Sequence, residues 1–310
     1  MVQKYLKYTV ETTTTQRRDF INLAKDLSAM NRQLFRQARM YKVKSITIID
    51  DDEAKYIQLG TAPTTWAMKN SVTRAYRRWN EMNNQVLNDQ PGLKARWNDF
   101  KPYLSLTHKT AEDNGAPSLF KMLTPRDIEN NELEYGEWDF SMFESPDGTS
   151  SVDGYKVGIL GGHDGEPGDY VYVGLIQSYG DARGTVNTQQ PNINVAAASD
   201  DPLVNLLDAG TQFDEIAENI VGEGDAPPYK MSSAPGEEYV GASGNLPQEV
   251  QFAELNSSGT VDGIQRIYNV DVPLGVIRLD HQTESGTTNF TVIVELAEGK
   301  YKGIHSESMV

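Results

Sequence analysis

What most constrains this chain is a recurring set of short alternating runs without βαβ-type helical crossovers between them. Strand-like segments occur at 3–12, 41–50, 54–61, 103–107, 138–143, 155–160, 170–176, 250–255, 264–272, 274–280 and 290–296, and those at 138–143, 155–160 and 170–176 are bounded by Gly, Pro and Asp clusters. Period-two alternation between such boundaries marks half-buried strands. A parallel sheet needs a long crossover, usually helical, between successive strands, and that spacing is absent. The expectation is a mainly β fold, a jelly roll or other Greek-key sandwich built as one domain over 1–310. Pro273 between two runs marks an edge or a break, since proline cannot donate to a ladder. Runs 41–50 and 54–61 read as a hairpin around Asp50-Asp51-Asp52-Glu53. The tail KYKGIHSESMV reads as too polar to bury.

Two helical patterns interrupt the N-terminal strands. Over 15–39, Phe20, Leu23, Ala24, Leu27, Met30, Leu34 and Phe35 recur at three- and four-residue spacing, and Thr14 or Thr15 is a candidate N-cap. Over 64–87, Trp66, Val72, Ala75, Trp79, Met82 and Val86 share a face, with Pro63 just outside and Thr64 or Thr65 as cap. A further internal helix is expected from Pro202, a proline at the first helical position. Long polar stretches at 109–136, 180–200 and 222–247 read as surface loops.

The net charge of −16 conceals a polarity. Residues 1–110 hold 19 Lys and Arg against 10 Asp and Glu, whereas the rest hold 9 against 34. Opposite excesses on contiguous segments predict a molecule with two electrically distinct faces. The outer helix faces carry Arg17, Arg18, Arg32, Arg36 and Arg39 on the first, and Lys69, Arg74, Arg77 and Arg78 on the second. These nine cations are the candidate nucleic-acid contacts, because phosphate binding needs only cationic surface and counterion release supplies the affinity.

Catalytic chemistry finds no comparable support. The chain has no cysteine, which excludes disulfides and thiol nucleophiles. His108, His163, His281 and His305 are scattered without metal-ligand spacing and read as surface or turn histidines. The acidic run 50–53 offers oxygens to a hard cation such as Ca²⁺, but EF-hand spacing is missing and a solvated turn explains it. The glycines of KVGILGG do not match a dinucleotide fingerprint. No cofactor and no catalytic residue is therefore assigned. No apolar run approaches about 18 residues, and the N-terminus lacks a signal-peptide core.

The segments L-S-A-M-N-R-Q-L-F-R-Q at 27–37, T-A-P-T-T-W at 61–66, and the later Trp79 resemble the capsid proteins of small circular Rep-encoding single-stranded DNA viruses from marine samples. The resemblance covers about the first quarter of the chain and rests on structural motifs, so it carries a role and no active site. It implies a jelly-roll coat subunit that self-assembles with its own copies into an icosahedral virion shell around a single-stranded DNA genome. Many such proteins begin with an Arg/Lys-rich arm, which MVQKYLKYTVETTTT is not, so genome contact falls to the basic helices facing the lumen, with acidic loops outward. Two other classes suit a β-rich acidic chain. One is a carbohydrate- or cell-surface-binding sandwich with Tyr170, Tyr172 and Tyr179 lining a site; the other is an acidic secreted hydrolase.

Overall fold

The apolar run NFTVIVEL lies inside a sheet, where a strand buried against the core and paired on both sides belongs. The computed structural model describes residues 2–50, 55–93, 97–115, 136–146, 152–166, 169–183, 250–256 and 263–310. In chain order the elements are β1 (Tyr5–Thr13), β2 (Arg17–Asn22), α1 (Leu23–Asn31), β3 (Arg39–Asp50), β4 (Lys55–Thr61) and α2 (Trp66–Asp89). A 3-10 turn (Pro91–Leu93), β5 (Tyr103–Ser105), α3 (Leu106–Asp113), β6 (Met142–Pro146), β7 (Val152–Leu160), β8 (Asp164–Glu166), β9 (Asp169–Gly174) and α4 (Leu175–Arg183) follow. Then come β10 (Val250–Asn256), β11 (Ile264–Pro273), β12 (Val276–Thr283), β13 (Thr287–Leu296), β14 (Glu298–Tyr301) and β15 (Ser306–Ser308).

One sheet runs β1-β13-β3-β11, with β15 extending it along the start of β3; a second runs β10-β4-β12-β2. Every pairing in both is antiparallel. The eight principal strands nest: β1 pairs β13, β2 pairs β12, β3 pairs β11 and β4 pairs β10. The two sheets share one apolar core, to which β1 gives Leu6, Tyr8 and Val10, β4 Ile57 and Leu59, β12 Ile277 and Leu279, and β13 Val292 and Val294. Alternation in these strands points one set of side chains at that core.

In β3 the buried apolar set is Tyr41 and Val43, then Ile46 and Ile48, so their alternation slips by one residue, and the register skips Lys44. A β-bulge absorbs the slip: Glu295 of β13 faces Ser45, while the next residue, Leu296, faces Val43. Across β11 the same level holds Asn269 at φ 55°, a left-handed value that asparagine tolerates. Pro273 ends β11, an edge strand, in keeping with its inability to donate. It presets the second residue of a turn closed by Gly275 N–H on Val272 O at 3.2 Å, and β12 continues in the other sheet.

Three sequence expectations give way here. The 15–39 helix shrinks to α1, because residues 17–22 pair with β12 as strand β2. Asp19 and Ile21 alternate into the interior there, and Asn22, not Thr14 or Thr15, caps the helix by accepting from Lys25 N–H at 3.1 Å. The helix ends at Arg32, φ 53°, and Ser28 Oγ accepts from Phe35 N–H at 2.8 Å, so Phe35 reaches the core by a turn and not along a helix face. The 41–61 hairpin does not form: β3 and β4 lie in different sheets. The tail is partly buried, since β15 pairs β3 and Ile304 is inaccessible to solvent.

Between β4 and β10 the chain makes a third, mixed sheet, order β5-β7-β9-β8, with β6 also on β7. β5 and β9 run parallel to β7, a pairing the strand spacing did not foretell. A second core joins it to α2: Met68, Val72 and Ala75 meet Phe100, Leu104, Phe143, Val157, Ile159 and Ile176. Gly158 lies against the Tyr172 ring, where any Cβ would collide; packing thus accounts for one glycine of KVGILGG. The chain divides into two compact units, Met1–Tyr179 with Leu246–Val310, and Gly180–Asn245. The first spans residue 110 unbroken, so the change of charge sign is no domain boundary. The expected helix from Pro202 and the loop 222–247 lie outside the described residues, as do most of 109–136 and 180–200.

Candidate nucleic-acid interface

Helix α2 carries the best-defined cationic face. Thr65 caps it, its Oγ1 accepting from Met68 N–H at 3.2 Å, and at 24 residues it extends about 36 Å. Ala67, Met68, Ser71, Val72 and Ala75 are buried, and the Tyr76 and Trp79 rings sit 6.1 and 5.9 Å from Phe100. That anchoring leaves Lys69, Arg74, Arg77 and Arg78 exposed. The three arginines fall at i, i+3 and i+4 on one face. Arg78 pairs with Glu81 at 3.1 Å, an exposed contact of little energetic consequence. Among the described residues Arg74 and Arg77 pair with no carboxylate, so their charge is available to a partner.

The other predicted cations lie on two further elements. Arg17 and Arg18 start β2, at the edge of the second sheet. Arg18 Nε donates to Asp280 at 2.7 Å, and Arg278 reaches the same buried carboxylate at 3.0 Å, so Arg18 serves a structural pair. Arg32, Arg36 and Arg39 lie in or beside the α1–β3 connection. Arg39 sits 3.9 Å over the Tyr301 ring and donates to the Ser306 hydroxyl and carbonyl at 3.0 and 2.8 Å, which fastens the C-terminal strand. Arg36 stays exposed, while its N–H donates to the Tyr301 hydroxyl at 3.0 Å.

The last residues bring this second group beside α2. Met309 N–H donates to Ala38 O at 3.3 Å, and Met309 O accepts from Thr73 Oγ1, on α2, at 3.0 Å. Lys302 joins the patch: its ammonium donates to Leu34 O and lies 5.3 Å from the Phe35 ring. Burial first, then repulsion from Arg36, holds its pKa below the ordinary lysine value. Sequence reasoning missed Lys302; the only available signal was the tail's basic KYK. Arg17 and Arg18 are not joined to this patch by any hydrogen bond or ion pair among the described residues.

The histidines are not all superficial. His281 is buried, Nε2 2.8 Å from Asp19 Oδ2, and His108 is buried with Nδ1 accepting from Leu104 N–H at 3.1 Å. Both were expected at the surface; alternation in β12 and a short helix after β5 carry them inside. His163 Nδ1 accepts from Gly174 N–H at 3.2 Å and so braces a glycine-rich turn. Among the described residues no three His, Asp or Glu side chains gather to hold a metal. Asp50 instead pairs with the buried Lys55 ammonium, and the rest of the acidic run lies outside the described residues. Tyr172 and Tyr179 are buried, which removes them from an exposed sugar platform. Comparison with family models, with curated proteins and with solved structures yields no match.

Proposed function

We propose that this chain is the coat protein of a small virus: a jelly roll that assembles with its own copies into a closed icosahedral shell around a nucleic-acid genome, single-stranded DNA by the resemblance above. The observation that carries the reading is the nesting of eight antiparallel strands, first with last through fourth with fifth, in two facing four-stranded sheets. That order is the one a rolled-up long hairpin produces, and viral shells use it repeatedly. Exposed apolar residues on edge strands agree with burial between copies: Val250 on β10, and Ile264 and Tyr268 on β11. The cationic α2 face suits sequence-independent phosphate contact at the lumen, with the acidic excess outward. Helix long enough and apolar enough to cross a membrane is absent among the described residues.

Lectin-like sandwiches share this strand order, so assembly is the discriminating property. Expression of the chain followed by negative-stain electron microscopy should show closed, isometric shells. A monodisperse monomer in sedimentation at physiological salt would favour the binding-module reading.

A further inference from the structure

Beside Arg32 lies a cleft of about 310 Å³ between α1 and the segments at 97–101 and 136–138. Its lining holds three cations, Lys25, Arg32 and Lys101, two indoles, Trp97 and Trp138, and one carboxylate, Glu137. Lys101 is the unusual member. It is only 6% exposed, its backbone is held by Ser141, and its ammonium lies 4.5 Å over the Trp138 ring with no hydrogen bond or ion pair among the described residues. The stem is buried while the ammonium faces the cleft, where an anion can pair with it. Burial accordingly holds its pKa below the ordinary lysine value, against the nearby charges of Asp99, Asp139 and Glu137. Trp97 is the converse, an indole left 55% exposed at the rim.

We propose that this cleft takes one nucleotide unit of single-stranded nucleic acid, the base stacked on Trp97 and the phosphate between Lys101, Arg32 and Lys25. Aromatic faces beside cations are how sequence-tolerant single-strand sites work, since every base has a π-face and every unit a phosphate. The volume is at the lower end of the roughly 300–1,000 Å³ of small-ligand sites, enough for one unit and not a folded strand. A neutral sugar would use Trp97 but leave Lys101 unpaired, so Lys101 and Arg32, with Lys25 held 4.0 Å from Glu112 at the edge, favour the nucleotide. The assignment deepens the genome-contact part of the proposed function and is independent of whether shells close.

Fluorescence anisotropy of a labelled ten-nucleotide oligothymidylate tests it on the whole chain. Trp97→Ala should weaken binding by roughly tenfold, and Trp97→Phe, which keeps a ring, should recover most of it. Lys101→Met should weaken binding and lower the salt slope by about one. Trp97 is exposed, so its variants keep the parent's melting temperature and remain informative if Lys101→Met fails to fold. Trp97→Ala binding as tightly as the parent overturns the site, even where shells form and package DNA. So does a parent that binds a sulfated oligosaccharide through Trp97 and ignores the oligothymidylate. A parent that neither binds DNA nor assembles overturns the proposed function as well.

Discussion

On the outer face of the first sheet, three donors converge on the Glu295 carboxylate: Lys44 Nζ at 2.7 Å, Tyr5 hydroxyl at 3.0 Å and Ser45 Oγ at 3.1 Å. The Lys44 bond, ahead of the two hydroxyls, holds its pKa below the usual 4.5. A depressed carboxyl stabilises the fold fully above the unfolded value and loses that contribution as pH falls through the folded one. Glu295→Gln should therefore cost about 1 kcal/mol at neutral pH and nothing in strong acid, read as converging melting curves below pH 4.5. In the core, Leu279→Ala removes a wholly buried side chain and should cost about 2–5 kcal/mol in chemical denaturation. Leu279 lies in the expected run 274–280 and alternates with Ile277 toward the core. The expected run 274–280 stops one residue short of His281, which the same alternation carries inside.

Helix α2 was legible to within two residues at each end, because Pro63 and the Thr65 cap agree, although Trp66 and Val86 of the expected apolar stripe stay exposed. Thr65→Ala should cost about 1 kcal/mol by thermal melting, the usual value of an N-cap hydroxyl. Helix α1 was overextended because RRDFIN satisfies both periods, and pairing with β12 decided the matter; helical spacing carries no information about a strand that needs a partner. The third sheet was illegible for a related reason. β5 has only three residues, and its parallel partner β7 starts nearly fifty residues later, so no local pattern marks the pairing. On the cationic face, changing Arg74, Arg77 and Arg78 together to Gln removes exposed charge that no core contact uses. Shell assembly should persist while packaged nucleic acid falls, seen as a lower ratio of 260 to 280 nm absorbance. Unchanged packaging would show that α2 does not face the genome.

For the molecule as a whole, the mainly β class followed from alternation and turn residues, which local chemistry dictates. Which strand pairs with which did not follow, because pairing is set by contacts far apart in sequence, such as Leu6 with Val294. The charge polarity was visible by counting, yet the structure distributes the nine predicted cations over β2, the α1–β3 connection and α2, and it is the C-terminal strand that draws the latter two together. An assembling subunit has a use for what a monomer leaves uncovered: edge strands with exposed Val250, Ile264 and Tyr268. Negative-stain electron microscopy of the purified chain tests this most directly. The proposed function predicts closed shells of uniform diameter, and a population of single subunits at physiological salt would contradict it.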